Sequence, residues 1–127
     1  MAHEAIIPPG SPPPLAPYSP GVKVGNIIYV SGILAMDADG NSVGVGDIKA
    51  QTRHVIESIR SVVEAGGGTL ADVAFNQIFL ADLADYAGMN EVYREYFGDN
   101  PPARYCIKAE LVKPEFLVEI SSTAHTG

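Results

Sequence analysis

Asp47 to Gly68, DIKAQTRHVIESIRSVVEAGGG, is the stretch whose reading decides the fold. Asp47 is placed to cap a helix, and Ile48, Val55, Ile56, Ile59, Val62 and Val63 fall on one stripe before three glycines stop it. A helix with one apolar stripe must hide it, so this one covers a sheet. Downstream, Val73, Phe75 and Phe79, with Ile78 and Leu80 on the other parity, predict a strand buried on both faces. Tyr86, Met89, Val92, Tyr93, Tyr96 and Phe97 then recur at helical spacing until Gly98. Upstream, Val22 and Val24 alternate, Gly25-Asn26 punctuates, and Ile27-Ile28-Tyr29-Val30 runs on into Ile33-Leu34, predicting two strands or a bent hairpin. Two more strands, Ala103 to Leu111 and Leu117 to Ala124, flank a connection containing Pro114. Five strands interleaved with two helices predict an α+β, split β-α-β sheet with both helices on one face. The other face then needs cover. Copies of the same chain supply it most simply, which predicts a homo-oligomer with ligand clefts between subunits.

With 127 residues, 46% hydrophobic and 18% charged, the composition is that of one globular domain, residues 1–127. A formal net charge of −7 opposes a nucleic-acid surface, which needs a basic patch. Cys106 is the single cysteine and has no partner for an intrachain disulfide. The N-terminus has neither a basic n-region nor an apolar h-region, and the longest nearly apolar run, Ile27 to Met36, is about half of a membrane-spanning helix. The expectation is a soluble cytoplasmic protein. Pro8, Pro9, Pro12, Pro13, Pro14, Pro17 and Pro20 are seven of the ten prolines, so residues 1–17 are expected to be an extended arm lying outside the core.

Arg104 is the residue that suggests chemistry. Arg53 and Arg60 each stand four residues before a glutamate, Glu57 and Glu64, and Arg94 lies beside Glu91 and Glu95. Arg104 follows Pro101-Pro102 in the extended segment Ala103-Arg104-Tyr105-Cys106-Ile107, with no acid nearby. A guanidinium fork on a strand suits a planar carboxylate or phosphate from outside the chain. If the last two strands pair as a hairpin, Arg104 stands opposite Thr123, Cys106 opposite Ser121 and Lys108 opposite Glu119, all on one face, with Tyr105, Ile107, Val118, Ile120 and Ala124 on the other. Burial of Glu119 between Val118 and Ile120 would raise its pKa and a nearby cation would lower it. A plain Lys108–Glu119 cross-strand pair accounts for the same pattern equally well.

Other candidates carry less. Asp37-Ala38-Asp39-Gly40-Asn41 reads as a turn, because the spaced ligands and closing glutamate of a calcium loop are absent. The triple glycine follows a helix and lacks the Lys-Ser or Lys-Thr of a phosphate loop. Cys106 reads as a small buried thiol before a nucleophile, and His3, His54 and His125 do not have metal-ligand spacing.

Several separated motifs share a resemblance. Ala16-Pro17-Tyr18-Ser19-Pro20-Gly21, Tyr29-Val30-Ser31-Gly32, Asn90, Pro102-Ala103-Arg104-Tyr105-Cys106 and Leu117-Val118-Glu119-Ile120 together resemble the Rid (YjgF) family of enamine/imine deaminases over nearly the whole chain. Lys49-Ala50-Gln51-Thr52-Arg53-His54, Gly67-Gly68-Thr69, Phe75-Asn76, Leu111-Val112-Lys113-Pro114 and Ala124-His125 are most similar to its RutC branch. The resemblance implies a chorismate-mutase-like fold, a homotrimer with sites between subunits, and hydrolysis of 3-aminoacrylate to malonic semialdehyde and ammonia in pyrimidine catabolism. A 2-aminoacrylate-derived imine or 2-aminomuconate is the alternative substrate, and a small-acid-binding trimer the non-enzymatic alternative. Carried onto matching positions, Arg104 grips the substrate carboxylate and Glu119 handles water. Tyr18, Ser31, Asn90 and Cys106 line the pocket, and Gly32 lets backbone approach the ligand. Many relatives have Glu-Ile-Glu in the last strand, whereas Glu119-Ile120-Ser121 leaves one acid here. The chemistry needs no metal or organic cofactor, since a carboxylate and a bound water can relay each proton.

Overall fold

The computed structural model describes residues 2–127. Six strands form one sheet: β1 (Glu4–Ile6), β2 (Gly21–Val24), β3 (Ile27–Ile33), β4 (Val73–Leu80), β5 (Ala103–Lys108) and β6 (Val118–His125). Their order is β1-β2-β3-β6-β4-β5, with β4 and β5 parallel and every other neighbouring pair antiparallel. Helices α1 (Ile48–Ala65) and α2 (Tyr86–Phe97) pack on one face. Between them and the sheet lies the core, where Ile28, Val55, Ile56, Ile59, Ile78 and Ile120 are fully buried.

The boundaries of α1 have the expected local causes. Asp47 accepts a hydrogen bond from the Ala50 N–H at 3.1 Å, and the helix stops at Gly66, whose N–H returns to the Val62 carbonyl at 3.0 Å. Gly67 takes φ +93°, a left-handed conformation open to glycine. The segment from Asp37 is the expected turn, the Asp37 carboxylate accepting from the N–H groups of Asp39 at 3.0 Å and Asn41 at 2.9 Å. No helix among the described residues is long and apolar enough to cross a membrane.

Four expectations are corrected. The proline-rich arm is not wholly outside the core: Glu4–Ile6 are a sixth strand paired with β2, and Ile6 is buried in the main cluster. The residues before the first proline are the stretch of the arm whose N–H groups are uninterrupted, and the strand forms there. The last two strands are not a hairpin, because β4 lies between them, pairing parallel with β5 and antiparallel with β6. A strand followed by a crossover helix delivers its successor in parallel beside it, and here α2 is that crossover. The bulge between Val73 and Phe75 splits a set that looked uniform, sending Val73 into the core and leaving Phe75 and Phe79 on the face without helices. Finally, Arg53 pairs with Glu95 across the two helices rather than with Glu57, and Arg60 pairs with Glu57 rather than with Glu64.

Gln51 ties α1 to the segment leading into β6. Its fully buried amide donates to the Glu115 carbonyl at 2.8 Å and accepts from the Leu117 N–H at 2.8 Å. Gln51→Leu leaves both backbone groups without partners, at about 1–3 kcal/mol each. The expected result is a midpoint shift in urea unfolding equivalent to roughly 2–4 kcal/mol; a loss under about 0.5 kcal/mol would show the segment to be held by packing alone.

Candidate functional site

The residues singled out in the sequence fall into two groups on opposite faces of the sheet. Arg104 is laterally paired with Asn76 and, through it, with Ser122, while Glu119 pairs with Phe79 and, through it, with Ile107. Alternation along each strand therefore places Arg104, Cys106, Asn76 and Ser122 on the helix-covered side and Glu119, Ser121, Tyr105 and Ile107 on the open side. The single-face arrangement expected from a hairpin is thus overturned. Within one chain, the backbones at Arg104 and Glu119 are two strands and three residues apart, roughly 14 Å, and their side chains point away from each other.

The first group surrounds a cationic cavity. Arg104, Asn90, Tyr86, Tyr93 and Arg94 line a cleft of about 420 Å³ between α2 and β5. Pro101 and Pro102 form its rim and allow no further helical turn after Gly98. The guanidinium lies over the Tyr93 ring, 4.7 Å from its centre, and donates to the Tyr86 hydroxyl at 3.2 Å. Among the described residues no carboxylate pairs with it. A stacked cation with neutral partners keeps its full charge for an external anion. Behind it runs a buried polar chain: the Ser122 hydroxyl donates to Asn76 at 2.5 Å, and the Asn76 amide donates to the Tyr93 hydroxyl at 2.9 Å. Burial raises the Tyr93 pKa, opposed by the Asn76 bond and by Arg104, so the phenol stays neutral at ordinary pH. Cys106, partly buried, packs against the core from the next position on this face; burial raises its thiol pKa despite the pull of Arg104, which disfavours a nucleophilic thiolate.

The second group is built on a bulge. The β3–β6 register shifts between Val30 and Ile33, and Ser31 and Gly32 occupy the irregularity. Ser31 holds the proline-rich arm there, its N–H donating to the Pro20 carbonyl at 3.0 Å and its hydroxyl to the Ser19 carbonyl at 2.5 Å. Tyr18 on that arm and Gly32 line a common cavity of about 230 Å³ that reaches His54 on α1. Any Cβ on Gly32 would collide with the Glu119 carboxylate, so a glycine is what lets the acid lie against the strand. Glu119 is half-buried, and loss of solvation alone raises its pKa, no cation among the described residues countering it. The Lys108–Glu119 pair of the alternative reading does not form.

Tyr86, Tyr93 and Asn76 were not among the site residues expected from sequence. The two tyrosines were absorbed into the apolar stripe of α2, and only a fully buried Asn inside VAFNQIFL hinted that something polar lay beside it.

Comparison with known proteins gives a consistent result. The family described as Endoribonuclease L-PSP matches residues 9–126. A protein of Acinetobacter baylyi named 3-aminoacrylate deaminase RutC is 56% identical over 125 residues, covering 98% of this chain and 99% of the relative. The crystal structure of yeast YEO7 superimposes with a TM-score of 0.92 at 32% identity, over 99% of this chain and 100% of that one. E. coli TdcF, solved with bound serine, gives 0.89 at 26% identity, over 98% and 99%.

Proposed function

Since the chain belongs to the Endoribonuclease L-PSP (YjgF/Rid) family, we propose that it is a cofactor-independent deaminase of a reactive enamine or imine carboxylate, with 3-aminoacrylate as substrate and malonic semialdehyde and ammonia as products. The observation that carries this reading is an Arg104 fork with no acid partner among the described residues, together with a half-buried Glu119 whose pKa is raised by burial within its own chain. Arg104 grips the substrate carboxylate. Protonated Glu119 delivers its proton to the enamine carbon, giving an imine; the resulting carboxylate takes a proton from water as its oxygen adds to the imine carbon. The same acid then protonates nitrogen, and as the C–N bond breaks and ammonia leaves, the carbinol hydroxyl forms the aldehyde carbonyl and returns its proton to the Glu119 carboxylate. A 2-imino acid uses the same groups without the first step. Nucleic acid is a poor substrate for this surface, with net charge −7.

Because the two groups face opposite ways in one chain, the site we propose takes Arg104, Asn90 and Cys106 from one copy and Tyr18, Ser31, Gly32 and Glu119 from a second. A three-carbon acid cannot bridge roughly 14 Å. The open face, with Tyr105 and Ile107 exposed on it, is the surface for that contact. We further propose a cytoplasmic homotrimer acting in pyrimidine degradation. Arg104→Ala and Glu119→Gln, each strongly impaired alone at substrate concentrations below KM, are expected to regain about one quarter of wild-type ammonia release when unfolded and reassembled together in equal amounts, the chance that a site draws its arginine from one variant and its glutamate from the other. Absence of any regain in mixed assemblies verified by mass spectrometry would sink the shared site.

A further inference from the structure

We propose that the Tyr86 hydroxyl is a second donor to the substrate carboxylate, completing the clamp that Arg104 begins; this rests on the site reading above and extends it. Arg104 Nη2 lies 3.2 Å from the Tyr86 oxygen, and a guanidinium has only donors, so the phenol oxygen is the acceptor and its own hydrogen is uncommitted. Among the described residues no carbonyl or carboxylate takes that hydrogen. Tyr86 opens α2, is 45% exposed, and forms part of the wall of the same cleft as Arg104. Whatever acceptor the guanidinium binds there is within reach of the phenol as well.

The other tyrosines of α2 show why Tyr86 stands apart. The Tyr96 hydroxyl donates to the Glu57 carboxylate at 2.8 Å, so a phenol on this helix already acts as a carboxylate donor. Tyr93 is 6% exposed, its oxygen accepting from the fully buried Asn76 and its ring supporting the guanidinium at 4.7 Å. Tyr93 is a positioning residue. Tyr86, with its ring centre 5.8 Å from the Arg104 carbon and an unspent hydrogen at the cleft wall, is a binding residue. An anionic oxygen placed between Nη2 and the phenol accepts from both, whereas a neutral amide nitrogen in that place meets two donors. Tyr86 therefore sharpens selection for an acid over its amide.

Propionate serves as an unreactive probe, titrated by NMR into wild type, Tyr86→Phe, Arg104→Lys and the double variant. Tyr86→Phe keeps the ring and removes only the donor, and is expected to weaken propionate binding about ten-fold with the oligomeric state unchanged. The same factor should persist in the Arg104→Lys background. In turnover assays, KM for the enamine acid should rise by the same factor while kcat holds. Three results overturn the inference: a change below two-fold, failure of wild type to bind propionate, or a penalty that vanishes in the Arg104→Lys background, which would mean that Tyr86 acts only through the guanidinium. Tyr86-dependent propionate binding without ammonia release would leave it standing and remove the deaminase reading instead.

Discussion

Arg104→Ala is expected to lower kcat/KM for a carboxylate-bearing enamine by about 10² to 10⁴-fold, most of it in KM. Two charge-assisted hydrogen bonds from one fork, at about 1.5–3 kcal/mol each, convert to that range at about 1.4 kcal/mol per factor of ten. The fold should tolerate the change. Arg104 touches Tyr86, Tyr93 and Met89, none of which depends on it for a buried hydrogen bond, since Tyr93 keeps Asn76. Steady-state ammonia release from an enamine generated in situ, read beside the thermal midpoint, separates the two effects. Activity within ten-fold of wild type with an intact fold would mean that the carboxylate is held elsewhere.

Glu119→Gln should act on the other kinetic constant. The amide keeps the shape that fits against Gly32 but carries no transferable proton, so kcat is expected to fall by about 10² to 10⁴ with KM little changed. The pH behaviour follows from its environment. Burial favours the neutral acid, so the raised folded-state pKa contributes stability that is complete below the ordinary glutamate range and is lost as pH rises through the raised value. The Glu119→Gln variant has no such loss. Its thermal midpoint should therefore fall less than that of wild type between acid and neutral pH, while wild-type kcat/KM should show an ionisation displaced upward from a free carboxylate. Full turnover in the variant would remove Glu119 from the proton path.

Much of the architecture could be read locally. Asp47 and Gly66–Gly68 bound α1 because capping and left-handed glycine are decided within a turn, and the apolar stripes of both helices face the core, Tyr86 excepted. Strand order could not be read that way. Whether β5 lies beside β6 or beside β4 depends on where α2 returns the chain, and the exposed Tyr105 and Ile107 fit either arrangement until the crossover is known. The error carried straight into the site, reversing the face assigned to Arg104 relative to Glu119. Some of the residues singled out do lie together: Arg104 and Asn90 line one cleft, and Tyr18 and Gly32 line another. What escaped was the support around the guanidinium, because Tyr86 and Tyr93 at helical spacing look the same whether they fill a core or hold a cation.

The parallel placement of β5 beside β4 has a broader consequence for the proposed assembly. In that assembly a solitary copy would hold every reactive group yet complete no site, and a copy lacking one of those groups would silence the single site to which it lends it while still serving the other.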